Sequence, residues 1–148
     1  MTVTDHRTQI VYWARWGKAN EPKIHYAEVR PMPLTNKLPL TTDCSGFVTL
    51  CYHLAGCPDP NGLGYNGQGY TGTLVAHGKQ IPLNKVRPGD VCILGPGTGD
   101  HAVIISDTTN PTNPLCISHG EESGPEQYPI NNDSRSKRFF QYVTTTGK

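Results

Sequence analysis

Cys44 stands between an aspartate and a Ser-Gly pair in the stretch TTDCSGFVTLCYHLAGC, residues 41–57. A thiol attacks carbonyls as its thiolate, and a free cysteine is mostly protonated at neutral pH. A helix N-terminus, whose unpaired amides favour negative charge, and a neighbouring imidazole both promote ionisation. Cys44 has the first on sequence grounds, because helical spacing begins there. Ser45 and Gly46 are small, so a substrate carbonyl could approach the backbone amides and find an oxyanion hole.

The imidazole has to come from elsewhere in the chain. His101 opens an apolar run directly after the turn GPGTGD, and His119 ends the next apolar run before Gly120. If these runs are strands paired through the turn between them, both imidazoles lie at one sheet edge. Nucleophile, base and orienting group would then be together. Plainer readings stand beside this one. Cys51, Cys92 and Cys116 read as buried hydrophobes, and Cys57 as a free thiol near a loop. His6, His25, His53 and His77 read as surface or packing residues, with His53 facing solvent. By spacing alone, His101 and His119 suit packing as well as catalysis.

Positioning these residues needs a helix and a sheet. Cys44, Phe47, Val48, Cys51, Leu54 and Ala55 recur at helical steps. Thr42 or Asp43 stands at the N-cap, and Gly56 with Pro58 closes the helix. An earlier helix is predicted over TDHRTQIVYWARWGKAN, capped by Thr4 or Asp5, with Ile10, Val11, Trp13 and Ala14 as its apolar stripe and Gly17 as its stop. Pro22, Pro31, Pro33 and Pro39 exclude a long helix between the two. CPDPNGLGYNGQGYTG reads as a site-lining loop, followed by a short helix around Thr73–His77. Strands are predicted at Val91–Leu94, His101–Ile105, Leu115–His119 and Phe139–Val143, separated by strong turn signals. Arg135-Ser136-Lys137-Arg138 reads as a solvated basic turn. Helices first and an antiparallel sheet afterwards is an α+β order.

The 148 residues suit one domain, 1–148, with 35% hydrophobic residues, 16 Gly and 13 Pro implying a loop-rich chain. A net charge of +1 gives no basic stripe for nucleic acid. No apolar run is long enough for membrane insertion, and the N-terminus carries no secretory pattern. Five cysteines without repeated spacing suggest reduced thiols in a protein made in a cytoplasm. With no C-x-x-C or H-x-x-x-H pair, neither a metal nor another cofactor is expected.

Taken in order, DCSGFV, VRPGDV, DHAVII and ISHG resemble the NlpC-type cell-wall cysteine peptidases, a papain-like family. The resemblance covers about residues 26–120. It implies a papain-like NlpC-type fold, N-terminal helices packed on a central antiparallel β-sheet, with a Cys44-His101-His119 triad. It also implies Tyr26, Asp43 and Ser45 around the oxyanion and substrate, although the family's usual tyrosine pattern is absent around Tyr26. Glu122 is a rival for the third role or a contact for the substrate's free amine, its plain alternative being a solvated loop carboxylate. The implied activity is cleavage of peptidoglycan stem peptides, typically between D-isoglutamate and a diamino acid.

SHGEESGPEQYP and KRFFQYV look like endolysin catalytic domains from phages of actinobacteria. Such a lysin would be made in the host cytoplasm without a signal peptide. It would reach the wall by holin-dependent release, with a separate wall-binding module as a further expected partner. The alternatives are an N-acetylmuramoyl-L-alanine amidase of the cysteine-histidine type, a zinc module, and a non-catalytic phage or wall-binding protein.

Overall fold

The computed structural model describes residues 2–120 and 123–142, apart from the side chains of Val3, Thr4 and Ser123. Helix α1 spans Val3–Ala19 and is capped by Thr2, two or three residues earlier than the sequence suggests. Thr2 Oγ1 accepts from the Asp5 amide while the Asp5 carboxylate accepts from the Thr2 amide, both at 3.1 Å. That reciprocal box satisfies two free amides, so Asp5 serves as the box partner and not the cap. Ile10, Val11 and Ala14 are buried as expected, and Trp13 packs partly against them. Gly17 does not stop the helix. A Cβ there would lie 2.4 Å from the Phe47 ring, so its absence lets the two helices approach closely. Asn20 ends the helix, its side chain donating to the Trp16 carbonyl at 2.8 Å.

The proline-rich segment holds two short strands the sequence does not reveal. β1, Ile24–Tyr26, pairs in parallel with β2, Leu40–Thr42, and sets Tyr26 opposite Thr42. Helix α2 follows at once, Cys44–Leu54, with Asp43 as its N-cap. Every residue from Cys44 to Tyr52 is buried, so the helix is enclosed on all sides. Its second apolar face holds Leu50, which packs with Ile24 and Leu40 from the small sheet. Leu54 is only half-buried.

The Gly-rich loop is folded around one carboxylate. Asp59 accepts from the amides of Asn61, Leu63 and Tyr65 at 2.9, 3.1 and 2.8 Å. Asn61 ties the loop to Thr49 of α2 at 2.9 Å. Helix α3, Thr71–His77, then leads into β3, Lys79–Ile81.

The main sheet is antiparallel, in the order β3-β8-β4-β5-β6-β7, where β4 is Val91–Leu94, β5 His101–Asp107, β6 Leu115–Gly120, β7 Ser123–Pro129 and β8 Lys137–Gln141. Val91, Ile93, Ala102, Ile104 and Ile117 meet α1 and α2 on one face. Cys92, Leu94, Val103, Ile105 and Cys116 form a second cluster with Ile130 and Phe139 on the other. Both faces are therefore covered, which explains continuous apolar runs in place of alternation.

β8 begins earlier than the predicted Phe139–Val143 strand and lies inside the sheet, and Val143 falls outside the described residues. The basic run is thus only partly a turn. Lys137 and Arg138 are strand residues, and Arg138 donates to the carbonyls of Gly95 and Gly97 at 2.9 and 2.6 Å. The Pro-Gly-Asp turn is an anchor: Asp90 accepts from the Arg87 amide and pairs with buried Arg7 of α1, each at 2.8 Å. No helix among the described residues is long and apolar enough to cross a membrane.

Candidate active site

The β2–α2 junction fixes Cys44. Asp43 Oδ1 accepts from the Gly46 amide at 2.7 Å, which satisfies one free amide of the first turn. Gly46 has a local cause as well, since a Cβ there would lie 2.1 Å from Thr42 Oγ1. Cys44 is 7% exposed and its thiol faces the Ala102 amide at the start of β5. Burial pushes the thiol up from its ordinary value of 9.0. The Ala102 amide pulls it back, the Asp43 carboxylate raises it further, and the Ser45 and Cys44 amides lower it. The helix terminus acts in the direction expected from sequence, but burial outweighs it. Cys44 rests as a neutral thiol.

His101 is the first residue of β5 and 9% exposed. Burial lowers its imidazole from 6.5 to about 4, with Arg135 and His119 pushing the same way and Asp133 opposing them. His101 is therefore unprotonated at neutral pH and able to accept a proton. No hydrogen bond joins it to Cys44, although the two are linked through the adjoining Ala102 amide.

His119 is completely buried near the end of β6, at the same end of the sheet as His101. Its Nε2 donates to the His25 carbonyl at 3.0 Å, and its ring meets Tyr26 at 5.2 Å and Phe47 at 6.2 Å. The parallel β1–β2 pair thereby brings Tyr26 beside the residues preceding Cys44. Cys44, His101, His119 and Tyr26 thus converge where α2 begins and the β5–β6 pair ends. Glu122 lies outside the described residues.

Asp43 and Ser45 are both buried and engaged with each other, Ser45 Oγ donating to Asp43 Oδ1 at 3.3 Å. Their third partner escaped sequence reading. Arg30 donates from Nη2 to Asp43 Oδ2 at 3.0 Å and to Ser45 Oγ at 3.3 Å. A second missed group is the Asp133–Arg135 pair in the turn before β8, joined at 2.7 Å and close enough to act on His101. Its only signal in the sequence was the basic run.

The other cysteines are all buried and unpaired, Cys57 included. His53 is exposed against Tyr65, His77 meets the Pro60 carbonyl at 3.1 Å, and His6 is buried in α1. Among the described residues no three His, Cys, Asp or Glu side chains cluster to hold a metal ion.

No family model matches the chain, and no curated protein matches it. Solved structures do. A mutated form of the Resuscitation Promoting Factor Interacting protein RipA aligns with a TM-score of 0.59 at 16% identity, covering 93% of this chain and 64% of that one. The peptidoglycan hydrolase RipB from Mycobacterium tuberculosis gives 0.58 at 17%, covering 91% and 65%. A hypothetical invasion protein of Mycobacterium tuberculosis gives 0.61 at 16%, covering 93% and 64%. This chain spans just under two thirds of the length of these neighbours. At such identities the likeness shows the fold, and it is the α+β arrangement that the motif resemblance implied.

Proposed function

We propose that the chain is a peptidoglycan hydrolase, a cysteine endopeptidase that cuts amide bonds in wall stem peptides. What supports this reading most is the capped start of α2, where the Cys44 thiol lies against the amide that follows His101. The shared fold with a protein named a peptidoglycan hydrolase adds to it.

The chemistry follows from two neutral partners. His101 accepts the thiol proton as the sulfur attacks the scissile carbonyl, so an ion pair need not be stored beforehand. The Cys44 amide, with Tyr26 near it, holds the developing oxyanion. His101 returns its proton to the departing amine, leaving a thioester on Cys44. His101 then takes a proton from the water that attacks this thioester and passes it to the departing sulfur, so the Cys44 thiol is regenerated and the product leaves with a new carboxyl group. His119 holds the strand end around the base, and Glu122 is the rival for that third role. In this reading Asp43 and Ser45 shape the substrate side through their hold on the first helical turn. The bond cut is that between D-isoglutamate and a diamino acid. The cellular setting is that of a phage lysin released to the wall.

Product analysis on purified peptidoglycan tests the assignment. Truncated stem peptides are expected, with their release blocked by thiol alkylation. Intact stem peptides freed from the glycan would overturn it in favour of an amidase.

A further inference from the structure

Arg30 lies in the proline-rich approach to the nucleophile, a segment without regular structure between β1 and β2. Its side chain is four-fifths buried and its guanidinium reaches in three directions. Nε donates to the Gly69 carbonyl at 2.9 Å, Nη1 to the Val29 carbonyl at 2.8 Å, and Nη2 to Asp43 and Ser45. Gly69 is itself packed on Asn61, since a Cβ at position 69 would lie 2.3 Å from the Asn61 side chain. Asn61 in turn binds Thr49. The Gly-rich loop is therefore held to α2 at two places, by Asn61 at the second turn and by Arg30 at the cap.

The cap has an electrostatic consequence. Asp43 is the residue before the nucleophile, and its side chain is only 5% exposed. A carboxylate there opposes ionisation of the thiol, and water has little access to screen it. Capping by aspartate thus conflicts with the thiolate that catalysis must form. A serine or asparagine would cap as well without the charge.

We propose that Arg30 is a positioning residue that resolves this conflict: it neutralises the Asp43 cap beside Cys44 and fixes the Gly-rich loop against the same turn. An arginine suits the task because one planar fork serves the carboxylate and the Gly69 carbonyl together. The other groups shown to act on the thiol are the amides of Ala102, Ser45 and Cys44, and the imidazoles at that end of the sheet are His101 of β5 and His119 of β6. His101 is uncharged above about pH 4 and adds no compensating positive charge in the range where thiols titrate. The role of Arg30 in turnover rests on Cys44 being the nucleophile, but its effect on the thiol does not.

The test is the rate of iodoacetamide alkylation of Cys44 against pH in the full chain, resolved by peptide mass spectrometry from the four buried cysteines. Arg30→Ala should move the profile to higher pH and slow alkylation at neutral pH by roughly threefold or more. Asp43→Asn, which keeps the cap, should move it the other way. In the Asp43→Asn background the Arg30→Ala effect should vanish. Arg30→Lys should restore most of the rate while leaving the Gly69 contact broken.

A profile for Arg30→Ala that overlays the parent, or a shift of full size without the Asp43 carboxylate, would overturn the proposal. If Arg30→Ala does not fold, the Asp43→Asn profile decides alone, and no acceleration there contradicts it. Wall clearing is not needed for any arm, so a failed wall assay with these shifts intact would refute only the hydrolase reading.

Discussion

Two regions of the molecule invite the label of working end, and they are built oppositely. Along the outer side of α1 runs a cavity of about 670 Å³ lined by Val11, Tyr12, Trp16, Arg15, Arg87 and Pro88 among others. It is broad and mostly apolar, with Tyr12 exposed on it. The start of α2 is buried, polar and cross-linked, with Asp43, Ser45 and Arg30 bonded to one another and Cys44 beneath β5. The cavity along α1 offers space and the hydroxyls of Thr8 and Ser106, but no cysteine, imidazole or carboxylate among its lining residues. The start of α2 carries the Cys44 thiol and the start of β5 the His101 imidazole, each held neutral by burial. Size and apolarity report where something could sit, whereas a thiol at a capped helix start, set against the strand that carries an unprotonated imidazole, reports where a bond could be broken.

Several substitutions can break that contrast or sharpen it. The largest effect on chemistry is expected from His101→Gln, which should reduce wall clearing about a thousandfold while leaving the melting transition in place. The companion pH profile is equally specific. Protonating His101 removes the base, so activity should fall as pH drops through the imidazole's own value of about 4. A midpoint near 6.5 would show that the base is solvated or lies elsewhere.

Asp90→Ala should cost about 3–5 kcal/mol of stability in denaturant unfolding, because it leaves the Arg7 guanidinium buried without its carboxylate. Gly17→Ala should cost about 1–3 kcal/mol by forcing the Phe47 ring away from α1. The smallest effect belongs to the groove. Tyr12→Ala should change stability by less than about 0.5 kcal/mol and leave clearing rates within about twofold of the parent. A large loss of clearing from that exposed position would transfer the working end to α1.

Periodicity and caps made the elements that carry Cys44, His101 and His119 legible, and tertiary reach hid what surrounds them. Cys44 could be singled out because α2 starts with a capping aspartate and carries a regular apolar spacing. The strands bearing His101 and His119 could be found from apolar runs between strong turns. Burial on both faces of the sheet left those runs unbroken.

Arg30 was invisible because it meets Asp43 across thirteen positions, irregular as far as the short strand β2. β3 and β7 were invisible for different reasons: β3 is three residues long, and β7 carries Pro125 and Pro129 at a sheet edge, where proline is tolerated. The direction of the Cys44 thiol was misjudged for a similar reason. The Ser45 and Cys44 amides that favour a thiolate are local to the helix and the Ala102 amide joins them from β5, whereas the desolvation that opposes it comes from burial within the fold.

The central claim is that Cys44 is the nucleophile, and one measurement addresses it directly. Parent chain and Cys44→Ala are compared for clearing of purified bacterial walls at equal concentration and matched melting temperature. The account predicts that the parent clears the suspension and the variant does not, with a loss of at least about a thousandfold. Equal clearing by the two would contradict it.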